Sequence, residues 1–583
     1  MAFFRPFSIM LATCTAIVAV CCTGCSGTPG ALAPGQQQVT ATPTLSLASG
    51  SYTGAQSLTI SDQTAGAVIY YAFDAAPTTA STVYSSTISV PASATIEAVA
   101  IAPGMTQSAV ATVALAINYP PATSGIWTWM GGSNVPLAIG VYGTQGTAAA
   151  ANIPGARTSP AAWKDKSGNF WLFGGLGTDA NGSQGVMNDL WEYTPTTKQW
   201  TWVTGSNTVR AAGVYGTQGA GAAGNTPGAR QEPATWTDAS GNLWLFGGSQ
   251  RDFSISGIGY YDFNDLWKFD VTTKQWTWVS GSNTLNSLGT FGTQGVGSAS
   301  NIPSARLDAM NWVDGSGNFW LFGGSGLDSA GSPDNVAHGV LNDLWEYSPT
   351  TGVWTWVSGS KIGGSSGVYG TMGTASAGTM PGARSYGTGW IDGNGNFWVF
   401  GGVSMDSAGN QGFGNDLWEY APSTKQWTWV AGSNLDIESP TGTGAVFGTP
   451  GVAAAGNTPG QQVGAAGWVD SSGNLWLFGG FGYAATGANT YVNAEHNDLW
   501  KFNPTSKQWA WMGGSNSTAN LTGVYGTLGV GSATNNPGAR EGSATWVDGS
   551  GNLWLFGGVE YATGVITPPT PLPLYNDLWQ YQP

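Results

Sequence analysis

Cysteine is confined to the start of the chain: Cys14, Cys21, Cys22 and Cys25 are the only four among 583 residues. Everything after Cys25 is therefore without disulfides, thiolate metal sites or a cysteine nucleophile. Histidine is almost missing as well, with His338 and His496 the only two. Two lone histidines in loops of variable sequence read as surface side chains rather than ligands, so no metal and no cofactor is expected. Charge is scarce: 8% of residues are charged, with 17 basic against 32 acidic groups and a formal net charge of −15. Such an acidic chain excludes nucleic acid as a partner and excludes electrostatic attachment to anionic lipid. No nucleophile elbow, phosphate loop or His-Glu-x-x-His motif occurs.

Long apolar runs are also absent. Phe7 to Cys22 follows Arg5 and is too short for a comfortable membrane span. It has the form of a secretion signal. Cys22-Thr23-Gly24-Cys25 resembles the lipobox of bacterial lipoproteins, although Cys22 stands where such boxes carry Leu, Val or Ile. The resemblance implies that Cys25 is lipidated and becomes the mature N-terminus; simple secretion and an uncleaved anchor are the alternatives. We read 1–25 as signal peptide, 26–41 as a flexible tether rich in Pro, Gly, Gln and Ala, 42–118 as a small β module, 119–125 as a linker and 126–583 as a repeat domain.

What the chain has in abundance is repetition. Phe-Gly-Gly occurs six times, ending at Gly175, Gly248, Gly324, Gly402, Gly480 and Gly558, at steps of 73, 76, 78, 78 and 78 residues. Asn-Asp-Leu-Trp occurs six times, starting at Asn188, Asn264, Asn342, Asn415, Asn497 and Asn576. A fixed period of this kind sets the architecture. Each unit reads as four strands. In the second unit these are a run ending at Trp236, then Leu243 to Phe246, Asp265 to Phe269 and Trp276 to Val279. Six antiparallel four-stranded units indicate a β-propeller, where radial repetition protects strand edges. The sixth unit ends at Pro583 without its fourth strand, while a matching piece, Ile126 to Met130, stands alone ahead of the first unit. That piece is expected to complete the last blade. All 30 Trp fall in the repeat frame, five per unit. A position filled in every unit points to packing; a carbohydrate platform would occupy some units and not others.

Tyr193/Trp200, Phe269/Trp276, Tyr347/Trp354, Tyr420/Trp427 and Phe502/Trp509, each pair following a Gly-Gly, resemble the kelch repeat. The resemblance covers about 126–583 and implies an all-β fold built on a six-bladed kelch-type propeller. Galactose oxidase is the best-known enzyme with such blades. Its copper–radical site needs a cysteine cross-linked to tyrosine, so that activity is not expected here. Upstream, Gly50-Ser51-Tyr52, Ile69 to Asp74, Pro77-Thr78 and Ile96 to Ala100 resemble the β-sandwich module near the C-terminus of chitobiases and β-hexosaminidases. In those enzymes the module carries no catalytic residues, which implies a spacer here, or a contact with glycan or cell wall. Its strands are expected to form an antiparallel sandwich.

In a four-stranded meander, the connection entering the first strand and the one between the second and third strands emerge on the same face. Here the first is long, and the second has 12 to 17 residues between Gly-Gly and Asn-Asp. The opposite face carries short, uniform turns. One of these, Asp314 to Asn318, has a faint likeness to a calcium loop but reads as a hairpin turn. Function is expected on the long-loop face. Five of the eight arginines, Arg157, Arg230, Arg306, Arg384 and Arg540, hold one repeat position, with Gln462 in its sixth copy. A structural role is favoured for them, as an ion pair to the Asp of Asn-Asp-Leu-Trp or a carbonyl clamp; a cationic ring at a channel mouth is the alternative. At this position or within two residues after it the polar side chains differ: Thr158, Glu232, Asp308, Tyr386, Gln462 and Glu541. Glu232, Asp308, Tyr386, Gln462 and Glu541, with Tyr260 and Tyr261, form the candidate ligand-binding set. Arg251, Asp252, His338, Tyr483, His496 and Glu560 are further loop candidates. No catalytic residue is assigned. The expected function is an exported, membrane-anchored, monomeric protein that binds a protein or glycan without chemistry. The alternatives are a polysaccharide hydrolase or lyase using Glu232, Asp308 and Glu541, and a purely adhesive surface protein.

Overall fold

A computed structural model describes residues 37–53, 56–90, 94–118, 124–251, 261–330, 339–435, 444–487, 490–516, 521–560 and 571–583. The expected signal segment, Cys25, Asp252, Tyr260 and His338 lie outside these residues. Among the described residues every regular element is a strand, and no helix is long and apolar enough to cross a membrane. The chain divides into two compact units, Met1–Pro121 and Ala122–Pro583.

The N-terminal unit is β-sandwich-like. Its larger sheet runs Gly50–Thr53, Ala111–Asn118, Ala94–Ile101, Val68–Phe73, Thr82–Val83, beside the smaller pairs Gln56–Leu58 with Ile88–Val90 and Thr44–Leu45 with Ile60–Ser61. Alternate residues of these strands (Leu58, Ile60, Ile88, Val90, Ile96, Ala98, Val113 and Leu115) close one core. One expectation is corrected: Gly50–Thr53 joins Ala111–Asn118 in parallel. The two strands lie at opposite ends of the module's sequence, so no hairpin constrains their direction.

The second unit contains six meanders. In the first, Ala161–Lys164, Phe170–Phe173, Leu190–Thr194 and Gln199–Thr204 pair in order, all antiparallel. The second strand, Phe-Trp-Leu-Phe, is buried at every position, as a central strand covered on both faces demands. Its side chains alternate between two cores. Trp171 and Phe173 pack with Leu243, Leu245, Trp267 and Trp276 of the second meander, while Phe170 and Leu172 pack with Trp546, Trp554 and Phe556 of the sixth. The same arrangement recurs at every junction. Trp236 stacks on Phe319 of the next sheet at 5.2 Å and 5°, and Trp312 on Phe397 at 5.0 Å and 3°. Each such ring contributes roughly 2–3 kcal/mol through area removed from water.

In the sixth sheet the order is Ile126–Gly131, Leu574–Gln582, Leu553–Val559, Ala544–Val547. The N-terminal strand of the unit thus pairs with the last strand of the chain, Trp127 opposite Tyr581. The recurrent Gly-Gly has a steric cause. Gly174 and Gly175 have φ of 65° and 91°, and a Cβ on Gly174 would lie 2.6 Å from the carbonyl oxygen of Arg230 in the next unit. Only glycine fits so close a backbone approach in the left-handed region.

Candidate functional site

Two residues beyond each repeat position of the arginines, the backbone turns left-handed: φ is 52° at Ser159, 59° at Glu232, 57° at Asp308, 57° at Tyr386, 64° at Gly464 and 67° at Gly542. This turn points each amide at the preceding unit. Glu232 N donates to Ser159 O at 3.0 Å, Asp308 N to Glu232 O at 3.1 Å, Tyr386 N to Asp308 O at 3.1 Å and Gly464 N to Tyr386 O at 2.9 Å. Gly542 N then donates to Gly464 O at 3.0 Å, and Ser159 N to Gly542 O at 2.7 Å, returning to the start. Four non-glycine residues held at positive φ cost free energy that the surrounding structure must offset, and such strain concentrates at functional sites.

Above this cycle lies a cavity of 340 Å³ whose lining includes Glu232, Asp308, Tyr386, Glu541, Asp262 and Arg251. Below it lies another of 290 Å³, which shares Ser159, Glu232, Asp308 and Tyr386. Tyr386 fills the space between them. Its hydroxyl lies 3.4 Å from Ser159 Oγ. A Cβ on Gly464 would come within 2.6 Å of the Tyr386 ring, and one on Gly542 within 2.8 Å of its hydroxyl. The two glycines of the cycle are therefore the room that the phenol occupies.

Glu232, Asp308 and Glu541 are half-buried. Burial pushes Glu232 up to about 7, with Asp262 adding to the rise and Ser159 and Arg251 opposing it. Burial also holds Asp308 well above the carboxylate range, reinforced by Glu232, Glu541 and Asp262. Glu541 is raised by burial, then by Glu495 and Glu232. The Tyr386 hydroxyl is raised by burial and by the same carboxylates. Several carboxyls in one narrow space cannot all ionise. Glu232, raised to about 7, is the carboxyl of this cavity poised to change charge near neutral pH.

The structure brings Glu232, Asp308, Tyr386 and Glu541 together and leaves other candidates apart. Gln462 takes the arginine position, where its side chain is buried at 3% exposure rather than presented to the cavity. Tyr261 is 46% exposed on a loop and is not among the lining residues. Tyr483 packs against Phe413. Glu560 accepts a hydrogen bond from Tyr575 at 2.7 Å. Sequence reading missed Asp262, Ser159 and Glu495. Asp262 lies two residues before Asn264 in a variable loop, and Ser159 became visible only once the left-handed position had been aligned across units.

The five arginines are buried and paired. Arg157 meets Asp189, Arg230 meets Asp265, Arg306 meets Asp343, Arg384 meets Asp416 and Arg540 meets Asp577, at 2.6–2.7 Å. Nε and Nη1 also donate to backbone carbonyls, as from Arg384 to Gly382 and Gly401. The pairs leave no guanidinium ring open to an acidic ligand. In the Asp314 turn the carboxylate is fully engaged: Oδ1 accepts from the amides of Ser316 and Asn318, and Oδ2 from Trp320 Nε1. Among the described residues no group of three or more His, Cys, Asp or Glu is arranged to hold a metal ion.

Comparison with known proteins adds little about this site. No curated protein matches the chain. A solved structure described as "Structure of YjhT" is similar at 15% identity and a TM-score of 0.41, over 73% of this chain and 95% of that one. Residues 47–112 match the family described as chitobiase/beta-hexosaminidase C-terminal domain, so the β-sandwich-like N-terminal unit is similar to that accessory module.

Proposed function

We propose that residues 126–583 form a closed six-bladed kelch-type β-propeller borne by an exported lipoprotein, and that it binds a hydroxyl-rich ligand, a glycan or a polar protein segment, without transforming it. The observation that carries this reading is convergence: Glu232, Asp308, Tyr386 and Glu541 reach one 340 Å³ cavity from four different sheets. The returning cycle of hydrogen bonds and the shared sixth sheet support ring closure. Carboxyls raised toward their neutral form and a phenol suit hydroxyl groups, which need donors and acceptors together. The N-terminal match to a module of glycan-acting enzymes fits the same ligand class.

A glycan array with the intact chain, followed by product analysis on every hit, tests this. Binding without product is expected, and it should weaken in D308N and E541Q. Product formation would favour a second reading, a polysaccharide hydrolase or lyase. That reading has its own support: Glu232 at about 7 stands beside Asp308, which burial and the neighbouring carboxylates also raise, a pairing suited to acid–base work. Turnover that persists in the E232Q/D308N double variant would sink it. Neither binding nor product would leave an adhesive or structural role.

A further inference from the structure

The fifth sheet departs from its sisters at one buried spot. In the other five, the Asp of Asn-Asp-Leu-Trp is met by an arginine, and in four of them a tyrosine hydroxyl also donates to it, as Tyr142 does to Asp189 at 2.7 Å. The third sheet has Phe291 in place of that tyrosine, and there Arg306 Nη2 also donates to Ser304 Oγ at 3.0 Å. The fifth has neither group: Gln462 replaces the arginine and Phe447 the tyrosine. Asp498 is still there, 3% exposed. Trp500 Nε1 still holds its Oδ2 at 2.7 Å, as Trp418 holds that of Asp416 at 2.6 Å. The carboxylate therefore keeps its sisters' orientation, and its Oδ1, which elsewhere accepts from Nη1, has no partner. Gln461, 1% exposed, stands where the sister sheets have alanine, one residue before the arginine position and therefore on the other side of the strand. The carbonyls that accept arginine N–H groups in the sister sheets belong here to Gly460 and Gly479.

We infer that this spot in the fifth sheet binds a small monovalent cation, with Asp498 Oδ1 and the Gly460 and Gly479 carbonyls as its oxygen donors. The charge follows from the sister sites, each of which sets one positive group against one carboxylate. Oxygen donors alone suit a hard alkali cation rather than a thiolate- or imidazole-bound metal. Gln462 Nε2, unpartnered too, is a donor and takes no part.

Thermal unfolding of the full chain in sodium, potassium or tetramethylammonium chloride, at equal ionic strength and pH 7.5, tests the inference. Tm should be higher in sodium or potassium than in tetramethylammonium and should rise with the logarithm of cation concentration. Q462R restores the guanidinium, so it should raise Tm and erase the difference between salts. D498N should erase the difference without raising Tm. Equal Tm in the three salts, or a difference that survives in Q462R, would overturn it and leave Asp498 as a buried protonated acid.

Discussion

Replacing Arg384 with Met is the sharpest probe of the scaffold. The substitution keeps the aliphatic stem and removes four hydrogen bonds: to Asp416 at 2.8 and 2.7 Å and to the carbonyls of Gly382 and Gly401 at 3.1 Å. Asp416 then stays buried with only Tyr369 and Trp418 donating to it. Removing one partner of a buried ion pair costs about 3–5 kcal/mol. Chemical denaturation of R384M against the parent chain should show that loss in midpoint with little change in slope. The pH dependence carries a sign. Burial alone would raise Asp416, but Arg384 overrides it and holds the carboxyl below its usual value. In the parent this gives stability above the unfolded pKa, near 4, that is lost as pH falls through the folded value. In R384M the carboxylate is instead penalised at neutral pH, so the gap between the two proteins should narrow below about pH 4. The double variant R384M/D416L should recover part of the loss. A loss below about 1 kcal/mol for R384M at pH 7 would refute the reasoning.

Three further outcomes follow from the site and the sixth sheet. Glu232 is raised to about 7, so the stability it contributes is present below about pH 4.5 and lost as pH rises to 7. E232Q should therefore gain on the parent at pH 8 but not at pH 4, read by denaturation at both. Gly542→Ala should cost about 1–3 kcal/mol through its left-handed backbone and its contacts with Thr158, Tyr386 and Ser159, and somewhat less in a Tyr386→Ala background; equal costs in both would leave Thr158 and the backbone as the source. Trp127 lies among Phe478, Trp579 and Tyr581, so Trp127→Ala should cost about 3–5 kcal/mol in the same assay, and a cost below 1 would argue against the shared sheet.

Much of the scaffold was legible because it recurs. Leu-Trp-Leu-Phe and its variants Phe-Trp-Leu-Phe and Phe-Trp-Val-Phe read as a strand in one copy and as a buried central strand in six. The stray Trp127-Thr128-Trp129 pointed to its place because the last unit lacked that element. The arginines could be matched to an aspartate for the same reason. The site was harder to read, since it depends on what does not recur. Glu541 and Glu232 sit at different offsets from their arginines, yet both reach the cavity: Glu541 pairs with Val559 right after Arg540, and Glu232 stands at the left-handed turn two residues after Arg230. Gln462 looked like a variable polar residue at the mouth; the arginine position it fills faces inward. The parallel pairing of Gly50–Thr53 was hidden because alternation of side chains is the same in both strand directions.

The shared sixth sheet also has a kinetic consequence. Ser133 N donates to Asn576 Oδ1, a contact 443 residues apart along the chain. Loop closure on that scale is the slowest kind of contact to form. During synthesis the Ile126–Gly131 strand is made well before its partner Leu574–Gln582, and its edge stays open for that interval. A chain cut before Leu574 therefore leaves two open edges rather than one shortened sheet.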